Sequence, residues 1–240
     1  MIKTDGIASA ASALRYWERR QEVASNNLAN ASTDGFKAER VFARLMGDSL
    51  PTPDARTDVT NGTFRTTGQP LDLAMQGDGF FVVGGPQGEQ WSRGGTFGLN
   101  ADGLLVDADG NAALGERGPI RLTRDAKGRE ILPEHVEIDR TGLVSVNGVG
   151  IDRLRVERSK APTLTHAAGT HFLPDASREA VAVTDRSVRQ GVLEESNVNT
   201  VSSLVDLIEV QRNYAFAQKV LTTLDGIRST IANDIGKVPA

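Results

Sequence analysis

Cysteine is absent from the 240 residues, which excludes disulfides, thiolate metal sites and thiol nucleophiles, and leaves no thiol to oxidise if the chain crosses compartments unfolded. Aromatic residues are scarce at 5% and apolar residues reach only 39%, while glycine is plentiful at 25 residues, so a modest, turn-rich core with room for an extension is expected. No apolar run approaches the roughly 18 residues that a membrane-spanning helix needs. The most apolar short stretch, Gly79 to Val83, reads as a strand, and membrane insertion is not expected. A block of one charge is missing too. The 27 basic and 31 acidic residues are spread along the chain for a net charge of −4, with no basic patch to neutralise phosphates, so nucleic acid is not an expected partner. A cleaved leader is not expected either: the small residues from Gly6 to Ala10 follow Asp5, and Arg15, Glu18, Arg19 and Arg20 come at once.

What is present divides into three parts. Near the N-terminus, Ile7, Ala10, Leu14, Trp17, Gln21, Ala24 and Leu28 stand at alternating spacings of three and four, the pattern of a coiled-coil helix. It stops in the Asn- and Ser-rich run ending at Gly35, where side chains compete for the backbone. A connector follows, in which Arg40 to Leu50 reads as a short helix or strand ahead of Pro51 and Pro53. From Thr63 onward the period changes to short β-branched or aromatic runs punctuated by Gly, Asn and Asp. Leu71 to Met75, Gly79 to Val83, Gln90 to Leu99, Ile120 to Leu122, Leu143 to Val146 and Val181 to Val183 are among the expected strands, and 160–180 reads as a loop. Asn100 to Gly103, Asp107 to Gly110 and Asp139 to Gly142 repeat one turn sequence, which predicts tight hairpins. The last part is helical again, with Leu207, Val210, Tyr214, Ala217, Leu221, Leu224, Arg228, Ile231 and Ile235 in the same alternation, Asn199 or Thr200 as N-cap, and Gly236 and Pro239 as the stop. The expected fold is mainly β with long terminal helices: helix 1–35, connector 36–62, a central all-β domain 63–198 and helix 199–240.

Catalytic readings find little in the residues. The three histidines, His135, His166 and His171, have no carboxylate in metal-binding register and read as solvated loop residues. Gly77 and Gly79 precede a strand where a phosphate loop needs a helix. Asp107, Asp109 and Gly110 open like a calcium loop, but no bidentate acid follows in register, so a hairpin turn is favoured. Asp72 and Asp78 are a conceivable glycosidase pair that nothing singles out. No catalytic, metal or cofactor-binding residue is assigned and no cofactor is expected.

The sequence Ser25-Asn26-Asn27-Leu28-Ala29-Asn30, followed by Thr33, Gly35, Phe36 and Lys37, resembles the signature with which flagellar rod and hook proteins end their first helix. Thr67 to Ala74, Gly77 to Val83, and Arg93-Gly94 with Thr96-Phe97 resemble the β-domain of the same family. Gln190-Gly191, Leu193-Glu194 and Ser196-Asn197-Val198-Asn199, with the later Arg212 and Tyr214, resemble its passage into the last helix. Trp91-Ser92 stands where the family usually has Tyr-Thr, and Ala215 where Glu is usual. The resemblance implies a structural subunit of the bacterial flagellar basal-body rod that self-assembles and transmits torque, and not an enzyme. Its length and single β-domain look more like a proximal-rod subunit than a distal-rod or hook one. The implied partners are copies of itself, other flagellar rod and hook proteins, and the flagellar type III export apparatus. The implied location is the periplasmic rod of the basal body, reached without a cleaved signal peptide. Ile7, Leu14, Trp17, Leu28, Leu207, Val210, Tyr214, Leu221, Leu224 and Ile231 are then the expected subunit-packing residues. Helices that pack on their own domain are the bland alternative; a secreted cell-wall hydrolase or a calcium-binding adhesin built on the β-domain are the functional ones.

Overall fold

A computed structural model of the chain describes residues 6–44, 52–86, 88–124, 128–161, 164–167 and 169–235. The fold is mainly β, with a helix near each end, and the chain divides into two compact units.

The first unit holds both helices and residues 39–56. Helix α1 spans Gly6–Ala29 and α2 spans Thr200–Ile235, and neither contains proline. Asn199 caps α2: its Oδ1 accepts the Ser202 amide at 2.9 Å, satisfying a donor that the helix itself leaves open. The helices run antiparallel, with Arg20 3.8 Å from Asp206 and Gly6 beside Leu224. Val210 and Ala217 on α2 and Ala10, Val23 and Ala24 on α1 are buried, and these mostly small side chains suit closely packed backbones. Glu39–Arg44 and Thr52–Thr57 form a two-stranded ribbon, which resolves the choice between helix and strand left open for Arg40 onward; 45–51 lie outside the described residues. Pro53 is tolerated there because an edge strand can spare its N–H.

The second unit comprises residues 30–38 and 57–198. Its main sheet is antiparallel and centred on Phe80–Gly85, which pairs with Gly88–Ser92 on one edge and with Ala112–Gly115 and Val156–Arg158 on the other. Period-2 geometry sends Phe81 and Val83 to one face, where they join Leu73, Leu105, Val144 and Leu154, and Phe80 and Val82 to the other, against Trp91, Leu164 and Phe172. Burial on both faces is why this run is continuously apolar. A three-stranded sheet, Val136–Ile138, Leu143–Val146 and Val149–Arg153, lies beside it in the chain, and Leu73–Met75 and Phe64–Thr66 pair with Val188–Gln190 and Val192–Glu194.

The three repeated turns share one mechanism. The side-chain oxygens of Asn100, Asp107 and Asp139 each accept the amides two and four residues on, and the glycine that closes each turn, Gly103, Gly110 or Gly142, has φ of 75°, 83° or 83°.

The structure corrects several expectations. The 160–180 segment is not simply a loop: Thr165–His166, His171–Leu173 and Glu179–Ala180 are strands, and Phe172, fully buried against Phe80, draws its neighbours into register with Trp91 and Ser92. His171 is accordingly not solvated; it is 3% exposed, with Nε2 2.8 Å from Asp107 Oδ2. In place of a strand at Val181 to Val183, a turn of 3-10 helix covers Val183–Asp185, while the Val181 amide donates to Val156. Ile120 and Leu122 follow a strand of only Gly118–Pro119 and lie outside any strand: Ile120 N donates to Ala113 O and Ile120 O accepts Leu105 N, while Leu122 N donates to Gly103 O.

Candidate functional site

In the β-unit, the segment arriving from α1 and the segment leaving for α2 are bonded to each other. Gly35 N donates to Glu194 O at 2.6 Å, and Asn197 N to Phe36 O at 3.4 Å. Asn197 is the hub: its Oδ1 accepts Ala38 N at 2.8 Å, and its Nδ2 donates to the carbonyls of Asp58 and Thr60 at 2.8 and 3.0 Å. The motif residues now have physical roles. Gly35 has φ of 75°, and a Cβ there would stand 2.4 Å from the backbone of Arg93 and Gly94, so no other residue fits. Phe36 is 1% exposed and anchors the turn. Asn30 holds that turn by accepting Thr33 N, Ser196 Oγ accepts the Val198 amide, and Asn199 caps α2. Within the helical unit, Asn27 brackets Glu39, accepting its N–H at 2.9 Å and donating to its carbonyl at 2.8 Å, so the end of α1 is tied to the ribbon. Ser25 and Asn26 are exposed, and Leu28 and Val198 are half-buried.

Beneath this clasp lies a charge cluster. Glu194 Oε1 accepts Lys37 Nζ at 2.7 Å and Gly62 N at 2.9 Å, and Oε2 accepts Arg93 Nη1 at 3.0 Å. Lys37 is 0% exposed, and Arg93 and Glu194 are 1% exposed. Lys37 also donates to Thr60 O, and Arg93 to Asn61 Oδ1 and the carbonyls of Met75 and Gly77, while its guanidinium lies over Phe80. Burial pushes the Lys37 ammonium and the Arg93 guanidinium below their ordinary pKa values, and Glu194 partly opposes this in both. Two buried cations therefore share one carboxylate. The motifs contain Lys37, Arg93 and Glu194, but sequence reasoning did not group them. Glu194 was the available signal, a charged residue directly after Val192 and Leu193 in a short apolar strand.

The helical unit supplies a second feature. Of the expected packing residues, Val210 is buried, and Ile7, Leu14, Trp17, Leu28, Leu207, Tyr214, Leu221 and Leu224 are half-buried; Ile231 is 53% exposed. The α2 members thus gather on the side toward α1 as far as Leu224, beside which α1 begins. A second apolar series went unread in the sequence: Val201, Leu204, Val205, Ile208, Phe216 and Ile227 are each 49–73% exposed. At 100° per residue, Val201 and Ile208 sit about half a turn round from Val210, so α2 is apolar on two opposite sides.

Of the carboxylates considered for chemistry, Asp107 and Asp72 are internally committed, whereas Asp78 and Asp109 are exposed. Asp107 accepts the Asp109 and Asn111 amides, the Asn111 side chain and His171, and Asp72, 7% exposed, accepts Thr67 Oγ1 at 2.6 Å. Among the described residues no group of three or more His, Asp or Glu is placed to hold a metal.

Three family descriptions match successive parts of the chain. "Flagella basal body rod protein" covers residues 7–37, "Flagellar hook protein FlgE/F/G D1 domain" covers 74–146, and "Flagellar basal body rod FlgEFG protein C-terminal" covers 189–235. The chain is 31% identical over 235 residues to the flagellar basal-body rod protein FlgF of Caulobacter vibrioides, covering 92% of this chain and 93% of that one. It is 32% identical over 230 residues to FlgF of Salmonella typhimurium, with 86% and 88% covered, and 29% identical over 268 residues to the rod protein FlgG of Agrobacterium fabrum, with 95% and 98% covered.

Proposed function

Because the chain belongs to the flagellar basal-body rod protein family, whose role is structural, we propose that it builds the rod by seating the outer apolar side of α2 against helices of neighbouring subunits. The inner seam pairs α1 with α2 within the subunit. The observation that carries this reading is the exposed series from Val201 to Ile227 on a helix whose opposite side is already covered as far as Leu224. Full burial of such a side chain contributes roughly 1.5–3 kcal/mol, and about half or more of that remains to be gained at each of these positions, enough in series to drive association. Head-to-tail contacts whose rotation does not close on itself give an open helical assembly, the form a rod requires. The partners are copies of this chain and other rod and hook proteins. Delivery is by the flagellar type III apparatus with the N-terminal region retained, the destination is the periplasmic rod, and the task is to carry torque without catalysis.

Two substitutions test the division of labour on α2. Phe216→Asp, on the outer side, alters a side chain that is 69% exposed; the protein is expected to melt close to wild type, be exported, and leave cells without a rod and non-motile. Leu221→Asp, on the inner side, puts a carboxylate into the seam and is expected to lower the melting temperature of the isolated protein by several degrees. Normal motility with Phe216→Asp would defeat the assignment of the outer side.

A further inference from the structure

We infer that the clasp is a cooperative latch: the incoming segment Gly35–Ala38 and the outgoing segment Glu194–Asn197 open together, in one local event that leaves the β-sheet core closed. It is a property of the free chain, independent of how subunits assemble.

Three observations carry it. The two segments are each other's hydrogen-bond partners, through Gly35 N to Glu194 O and Asn197 N to Phe36 O, so neither can leave without stripping the other. The charges enforce the same condition. If the outgoing segment lifts away, it takes Glu194 and strands Lys37, buried, unless Lys37 leaves with the incoming segment, while Arg93 keeps Asn61 Oδ1 and the carbonyls of Met75 and Gly77. Asn197 then links both segments to the return of the chain at Asp58 and Thr60. The core does not share these bonds: Leu105 N donates to Ile120 O and Ile120 N to Ala113 O, within the sheet and remote in the bonding scheme from the clasp. Buried polar networks of this kind open in contiguous cooperative units with their own free energy.

The test is native-state hydrogen exchange on the full-length protein, read amide by amide by NMR with increasing denaturant. In the wild type, Gly35, Ala38, Gly62 and Asn197 are expected to share one opening equilibrium with weak denaturant dependence, exchanging at least about tenfold faster than Leu105 and Ile120 after correction for intrinsic rates. Asn197→Ala deletes the bond to Ala38 but none made by Gly35 or Gly62; all three amides are nevertheless expected to accelerate by one common factor of about tenfold. Glu194→Gln, which removes the charge and keeps the shape, is expected to accelerate them by a common factor of about a hundredfold or more. Acceleration of Ala38 alone in Asn197→Ala would mean two independent dockings and overturn the latch. Wild-type clasp amides as protected as Leu105 would mean that opening is global unfolding, which overturns it equally, and that arm holds even if a variant fails to fold.

Discussion

The charge count in the clasp makes an asymmetric prediction. Lys37 and Arg93 both bond to the one Glu194 carboxylate, and Asp58 and Asp78 add attraction to Lys37 and Arg93 respectively, so Glu194 is the carboxylate the two cations share. Glu194→Gln leaves two buried cations without a contacting anion; if the new carbonyl stays on Gly62 and Lys37, its amide N–H2 faces Arg93, donor against donor. Removing one partner of a buried ion pair costs about 3–5 kcal/mol, and each kcal/mol shifts a domain of this size by about 2–4 °C, so the melting temperature should fall by roughly 6–20 °C. Lys37→Met behaves differently. Arg93 and Glu194 remain paired one to one, Glu194 Oε1 keeps the Gly62 amide, and Thr60 O keeps Asn197 Nδ2 at 3.0 Å, so no acceptor is stranded. The cost of desolvating an ammonium disappears, and the change should lie within about 1–2 kcal/mol of wild type. The double variant should melt above Glu194→Gln alone, because one of its two stranded cations is gone. Thermal unfolding read by Trp91 fluorescence after Trp17→Phe measures the β-unit selectively, since the chain has 2 tryptophans. If Lys37→Met destabilises as much as Glu194→Gln, or fails to rescue it, charge balance is not what governs the clasp.

Acid should loosen the β-unit through its turns. Burial alone would raise the pKa of Asp107, but hydrogen bonds from His171 and Asn111 outweigh it and hold the carboxyl below its ordinary value; Asp139 is likewise held down by Thr141 and Leu143 against its partial burial. A depressed folded-state pKa gives stability that is fully present above the unfolded value near 4 and lost as pH falls through the folded one, so the melting temperature should drop below about pH 4, with a shallower slope in Asp107→Asn. Gly35→Ala forces a Cβ to within 2.4 Å of the Arg93 and Gly94 backbone at φ of 75°, and should cost more than about 2 kcal/mol, seen as a fall of several degrees in the melting temperature; an unchanged value would remove the steric explanation of this motif glycine.

The terminal helices were legible because a spacing of three and four persists along them, and that periodicity is the direct imprint of a covered side. The hairpin turns were legible because an Asx side chain followed by glycine carries its own local chemistry. The strand at His171–Leu173 was not, since Phe172 is buried by Phe80 and Trp91, contacts about 80–90 residues away in sequence that leave no alternation nearby. The outer side of α2 was overlooked for a different reason. One seam accounts for the heptads, Val201 and Leu204 precede its first member and Ile208 falls between two, so only the observed burial separates a covered side from an open one. The clasp was hidden by distance. Lys37 and Glu194 are 157 positions apart, and their motifs gave two separate signatures with no sign that they bond.

The placement of Asn197 links these observations to the mechanical reading. The chain passes between its helical and β units at four points, next to residues 30, 38, 57 and 198. A single covalent link transmits little torque, because rotation about its backbone dihedrals is soft. Here Ala38 N and Asp58 O are bonded to the Asn197 side chain, and Asp58 N donates to Ala38 O at 2.7 Å, so three of the four passages are tied into one knot of hydrogen bonds just inside the β-unit. Asn30, at the fourth, closes the turn that leads into Gly35 and Phe36 and so into the same knot. Inside the β-unit, a displacement of one of these passages is then shared with the others through the bonds between them. Strengthening a single linker could not achieve this, which is a physical reason for the Asn-rich signature to sit at both ends of the β-unit rather than within it.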